Sequence, residues 1–260
     1  MQNATFALLA PFYLLIDLLL WPGLVTPSPE TYLPDAASLL AIPLAMITGY
    51  LVPSVLISLP APSIVSHDRK QLFMSIWQVF PLWVGVSHQL LKRLLAGRVS
   101  HGPRVKIAAQ RSVYLFALLL AMITHISTFT AIGLSTWFPG LFAARYQGAF
   151  GFASTFVPDR LFEPSQTKTI GDGAHLLLQY DELTGSTALL LWAIAVASAT
   201  RPRCSWPSDM VDFLLIALVA TVLTGPIGAA AILSWLRNER VIGNNEKEVE
   251  QIRESKSGEQ

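Results

Sequence analysis

Two things are scarce in this sequence: cysteine and charge. Cys204 is the one cysteine, so no disulfide can close within the chain and a thiolate metal site is excluded. Lys and Arg number 18 and Asp and Glu 17 among 260 residues, a balance with no electrostatic footprint for nucleic acid. No lysine falls deep within an apolar stretch, which excludes a retinal Schiff base. Familiar catalytic signatures are missing too. There is no Walker-type phosphate cradle and no HExxH pair, and no DxxxD motif inside an apolar stretch to hold magnesium and a diphosphate. An enzyme made from this chain is expected to work without metal or other cofactor.

Apolar residues are what the sequence has in plenty. They make up 52% of it and come in blocks of roughly twenty, the length that crosses a ~30 Å hydrocarbon core as a helix. The expectation is an all-α, polytopic transmembrane bundle over residues 1–236, followed by a polar, disordered tail at 237–260. Hydropathy places about six spans, near 4–22, 36–59, 71–95, 111–138, 174–199 and 211–236. The first lacks a basic leader and is interrupted by Pro11 and Asp17, so it reads as a retained helix rather than a signal peptide.

Pro43 and Pro53 lie inside the second span and Pro81 inside the third. Each removes a backbone donor, which predicts kinks or locally widened turns. Trp21, Trp137, Trp206 and Trp235 stand near span ends, where indole rings suit the interface. The basic segment 92–111 is expected on the cytoplasmic side, with the N-terminus outside. Three further spans then put Arg237, Arg240 and Lys247 on the opposite side, so the two charge cues oppose each other. Residues 139–173 form a long connection rich in Phe and Gly, which reads either as a functional lid or as a loop resting on headgroups.

The stretch GDGAHLLLQYDELTGSTALLLW at 171–192 is the most informative. On a helix His175, Gln179, Glu182 and Ser186 share one stripe, by the i, i+4, i+7, i+11 rule. Asp181 stands about 100° away, toward Leu178 and Gly185, so the two carboxyl groups cannot enter one space. A carboxylate at the centre of a span costs ~2.5–3.5 kcal/mol. Two readings follow: a hydrated pair at the membrane surface, or a polar pocket at the mouth of the bundle. The aligned stripe favours the pocket.

In the third span Gln71, Ser75, Gln78 and Gln89 fall on one face, which is the pattern of hydrogen bonds between helices. Thr124, Ser127, Thr128 and Thr130 in the fourth span suit bonds to their own helix carbonyls. That leaves His125, read as helix–helix glue. Asp17 is a further acidic candidate with no supporting neighbour in sequence.

TGYLVPSVLISLP (48–60), KQLFMSIWQVFPLWV (70–84) and GDGAHLLLQYDELTGSTALLLWA (171–193) resemble segments of fungal integral-membrane proteins from secondary-metabolite clusters. Among them are the small membrane-bound terpene cyclases of the ascochlorin/ascofuranone type and of indole-diterpene pathways. The resemblance covers roughly residues 36–200, and the resembled cyclases are often longer than this chain. It implies a cyclisation started by protonation, in endoplasmic reticulum or another endomembrane. The substrate would be a lipophilic prenyl chain, often with a terminal epoxide, on an aromatic or polyketide head. Partners would be membrane lipid and other enzymes of the pathway.

The residues can be asked whether they suit such a reaction. The acid must keep its proton at neutral pH, which burial favours in general. Glu182 is preferred to Asp181 as donor, because His175 and Gln179 precede it on the stripe and can orient it or relay its proton. Trp77, Trp83, Tyr180 and Trp192 offer aromatic faces to a cation, with Gln78 beside Trp77 as a further substrate contact. Two other classes compete with the cyclase: a small membrane transporter, for which no inverted symmetry is visible, and a non-catalytic membrane scaffold.

Overall fold

A computed structural model describes residues 6–20, 34–158, 169–199 and 207–258 of the chain. Trp21, Cys204, Trp206 and residues 23–33 and 159–168 of the two long connections lie outside the described residues. Every regular element among those described is helical, as the apolar blocks predict. Four helical stretches are long and apolar enough to cross a membrane by length and composition: Ala36–Ser58, Pro103–Trp137, Gly171–Ala199 and Val211–Gly243.

Two of the expected spans differ from these four. Among the described residues the first is helix α1, Phe6–Leu20, 15 residues and about 22 Å of rise. The third is broken in two. Helices Ala36–Met46 (α2) and Val52–Ser58 (α3) are followed by His67–Gln78 (α4) and Phe80–Ala96 (α5). Between the last two, Val79 leaves the helical region at φ −103°, ψ 23°. Pro81 cannot donate to the carbonyl four residues back, but it is at home in the first turn of a new helix, where no donor is needed. The indole of Trp83 reaches back over the break and donates to the Ile76 carbonyl at 2.9 Å. Gln89 is thereby separated from the Gln71–Gln78 stripe.

The described residues form two compact units, 34–116 in one and α1 with 117–258 in the other. The boundary falls within helix α6, Pro103–Trp137.

In the first unit, Asp35 caps α2 by accepting from Ser38 N–H at 3.3 Å. The widened turn expected near Pro43 and Pro53 is present: Ile47–Leu51 is π-helical and joins α2 to α3 without a break. α2 runs antiparallel to α5, since Ser38 meets His88 while Gly49 lies on Val84. A Cβ at Gly49 would stand 2.5 Å from the Val84 nitrogen, so glycine is what lets the two backbones touch. Lys70 closes the end of α3, donating to the carbonyls of Ile57 and Leu59. Ala36, Leu39 and Ala109 form the buried centre.

In the second unit, helices Ile170–Ala199 (α8) and Pro207–Gly258 (α9) meet through Ala193, Ala197, Ala217, Ala230, Phe213 and Leu233. Small residues of this kind allow close packing where lipid removes the usual hydrophobic drive. α9 is kinked at Gly225, whose φ of 75° is a left-handed value that costs glycine little. Pro226 follows and deprives the Val222 carbonyl of its helical donor. His125 replaces it, with Nε2–H donating to that carbonyl at 3.0 Å. The glue role read for His125 thus acquires a specific object. α9 also runs past Leu236, with Arg237, Asn238, Val241 and Ile242 buried. Its backbone continues as helix to Gly258.

Candidate functional site

The acidic stretch lies in the first half of α8, and the 3.6-residue period distributes it as expected. Asp181, Gly185 and Trp192 share the side of α8 that receives α1. The Asp181 carboxylate accepts the Ala7 N–H at 2.6 Å. That amide belongs to the first turn of α1, where donors lack helical partners and a negative charge is favoured. One turn on, the Phe6 ring presses on Gly185, where a Cβ would overlap it. Further along, Trp192 Nε1–H donates to Asp17 at 2.9 Å. Residues ten apart in α1 therefore meet residues eleven apart in α8, in the same order. The two helices are parallel.

Asp181 and Trp192 are thus engaged by α1. Asp17 also gains, in Trp192, a neighbour that the sequence could not supply.

The other stripe has a different fate. His175 and Glu182 are exposed, Gln179 is half-buried and Ser186 is buried. Among the described residues no hydrogen bond or ion pair engages Glu182. Gln179 does not reach the acid. Its amide nitrogen donates instead to the carbonyls of Ser154 at 2.9 Å and Thr155 at 3.2 Å. Those carbonyls end a short helix, α7, Phe152–Phe156, which follows the 3-10 turns Pro139–Leu141 and Ala144–Tyr146. The first part of the long connection is therefore folded. Tyr180 is half-buried beside Asp181.

The remaining sequence-derived contacts, Trp77 and Gln78, belong to the other unit. Trp77 donates to Ser54 Oγ at 3.0 Å and its ring lies 5.8 Å from Phe80, which in turn lies 5.0 Å from Tyr50. Gln78 is exposed at the end of α4.

Sequence reasoning passed over a second aromatic group, on α6 and α7. Phe129 lies 5.5 Å from Phe156 and 6.4 Å from Phe152 between ring centres, and 4.7 Å from His125. The Phe- and Gly-rich composition of 139–158 was the available signal. On a different face of α6 runs an open apolar groove of about 690 Å³, lined by residues between Leu119 and Leu134 together with Phe142. Among the described residues no three His, Cys, Asp or Glu side chains gather so as to hold a metal ion.

The CtvD domain model matches residues 1–242. The chain belongs to the CtvD-domain family. Membership extends the likeness read from three short segments to nearly the whole bundle. Terpene cyclase ascI of Acremonium egyptiacum is 29% identical over 238 residues, covering 90% of this chain and 59% of the relative. Terpene cyclase ctvD of Aspergillus terreus is 27% identical over 239 residues, 90% and 64% of the two chains. For terpene cyclase janA of Penicillium janthinellum the figures are 27%, 82% and 58%. The chain thus spans about three-fifths of the length of these curated relatives. No solved structure matches it.

Proposed function

We propose that this chain is a membrane-embedded terpene cyclase acting on a lipophilic, prenylated substrate, with Glu182 as the acid. The carrying observation is the division of the two carboxyl groups: Asp181 accepts the Ala7 N–H of α1, whereas no hydrogen bond or ion pair among the described residues engages Glu182. Family membership and the names of the relatives supply the reaction class. The Glu182 carboxyl gives its proton to a terminal alkene or epoxide oxygen. The π bonds of the prenyl chain attack the resulting cation and close rings. A proton then leaves the last cation and the carboxyl group is restored. Substrate and product are isomers, so no co-reactant is needed.

The chain is read as a multi-pass protein of an endomembrane. If parallel α1 and α8 both cross, an odd number of crossings separates them. Ala36–Ser58 and Pro103–Trp137 provide two, so the α4–α5 segment is read as the third. Accessibility labelling should then find residues 60–65 and 98–102 on opposite sides of the membrane.

The function is tested in microsomes containing the expressed chain and an epoxidised prenyl–aryl substrate. The expected result is a cyclic product of unchanged mass. Untouched substrate beside correctly inserted protein would overturn the cyclase and return the choice to transporter or scaffold.

A further inference from the structure

The segment 139–158 between α6 and α8 is folded, but its best-defined tether is a side chain of α8. α7 has five residues, too few to hold itself together. Local bonds around Ser154 hold it from within, Gly151 N–H donating to Ser154 Oγ at 2.9 Å and that hydroxyl donating to the Ala149 and Gly151 carbonyls, and from α8 Gln179 donates to its final carbonyls. Carbonyls at a helix end have no helical donor, so a carboxamide there is a specific clamp. What the clamp holds in place is a pair of rings. Phe152 and Phe156 lie 5.4 Å apart, and both face Phe129 of α6.

Phe129 and Phe152 keep 42% and 58% of their surface open. The neighbouring His125 donates its Nε2–H to the Val222 carbonyl, which leaves the ring's lone pair on Nδ1; the phenyl rings themselves carry no nucleophile that would trap a cation. The clamp also sits on the helix of the acid, three residues before Glu182 and on the same stripe.

We propose that Phe129, Phe152 and Phe156 form the wall that holds the cationic end of the substrate, and that Gln179 is the positioning residue that sets this wall by holding α7. The inference rests on the cyclase reading for the origin of the cation. Aromatic faces carry negative potential and attract a cation without donating or accepting a proton.

The test separates this inference from the cyclase reading. A prenyl–aryl probe carrying a tertiary ammonium at the position of the cationic carbon is compared with its neutral carbon isostere. Binding is measured to the full chain in lipid nanodiscs. The ammonium probe is expected to bind tighter by about two- to thirtyfold, the range from exposed to desolvated cation–π contacts. Phe129→Leu, Phe152→Leu and Gln179→Leu should each lower that advantage, and Gln179→Leu combined with Phe152→Leu should do no worse than Gln179→Leu alone.

Equal binding of the two probes, as on a lipid-facing surface, would overturn the wall even if the chain cyclises substrate. An advantage that survives the Phe substitutions would do the same. Loss of the advantage in Phe129→Leu but not in Gln179→Leu would remove Gln179 from the proposal. An advantage lost in all three variants, in a chain that cyclises nothing, would keep the wall and sink the cyclase. In active protein Gln179→Leu should also shift the ratio of fully cyclised to prematurely terminated products; a fall in total turnover at constant ratio would reduce Gln179 to a purely structural residue.

Discussion

Each compact unit carries a proline-interrupted apolar helix, an aromatic cluster and a histidine that meets a backbone carbonyl, yet the two use them differently. In Ala36–Ser58 the prolines are absorbed by a π-helical turn, and Val52 N–H simply reaches five residues back to Ile47. In α9 the backbone breaks at Gly225 instead, and the carbonyl orphaned by Pro226 is satisfied from another helix, by His125. His88 in the first unit meets the Ser38 carbonyl at 3.1 Å, a group whose helical donor, Ile42, is no proline. The aromatic cluster of the first unit is tied down by the Trp77–Ser54 bond. That of the second hangs from Gln179, on the helix that also bears an exposed carboxyl group. In the first unit the indole N–H and the histidine find partners within the unit. In the second, two adjacent carboxyl groups part: Asp181 accepts the Ala7 N–H, while no hydrogen bond or ion pair among the described residues engages Glu182.

The contrast can be broken by substitution, and the effects should fall in order. His125→Ala leaves a carbonyl unpaired and should cost about 1–3 kcal/mol, measured by thermal unfolding in detergent. His88→Ala should cost less, because its carbonyl keeps a possible helical donor. If the two cost the same, the distinction between replacing a donor and adding one fails. Gly49→Ala drives a methyl into the α5 backbone and should cost about 1–3 kcal/mol, read in the same melt; a neutral result would mean that α2 and α5 do not touch there. Asp181→Ala removes the cap of α1 and should cost about 1 kcal/mol, whereas Asp181→Asn keeps an acceptor oxygen and should cost less. Trp77→Phe loses one half-buried hydrogen bond, worth about 0.5–1.5 kcal/mol, and should leave any product ratio unchanged.

The helical class and the separation of Asp181 from Glu182 were legible in the sequence, because both follow from period and hydropathy. The break at Val79 was not. A proline reads alike inside a span and at the start of a new helix, and only backbone geometry distinguishes the two. The contact of Gln179 with Ser154 and Thr155 was not legible, because those partners come from a segment that carries no periodic signal. The bond from the Trp192 indole N–H to Asp17 is likewise a long-range contact that no local pattern encodes. Phe129 went unnoticed for a similar reason: its partners belong to α7, whose placement depends on Gln179.

The division of labour between neighbouring carboxyl groups is tested most directly by comparing Glu182→Gln and Asp181→Asn in one preparation of microsomes. Cyclic product is measured relative to inserted protein. Glu182→Gln should lose about 10²–10⁴-fold in rate, the contribution of a positioned general acid, while Asp181→Asn stays within a few fold of the native chain. The reverse order, or equal losses in both, would contradict the assignment of Asp181 to structure and Glu182 to chemistry.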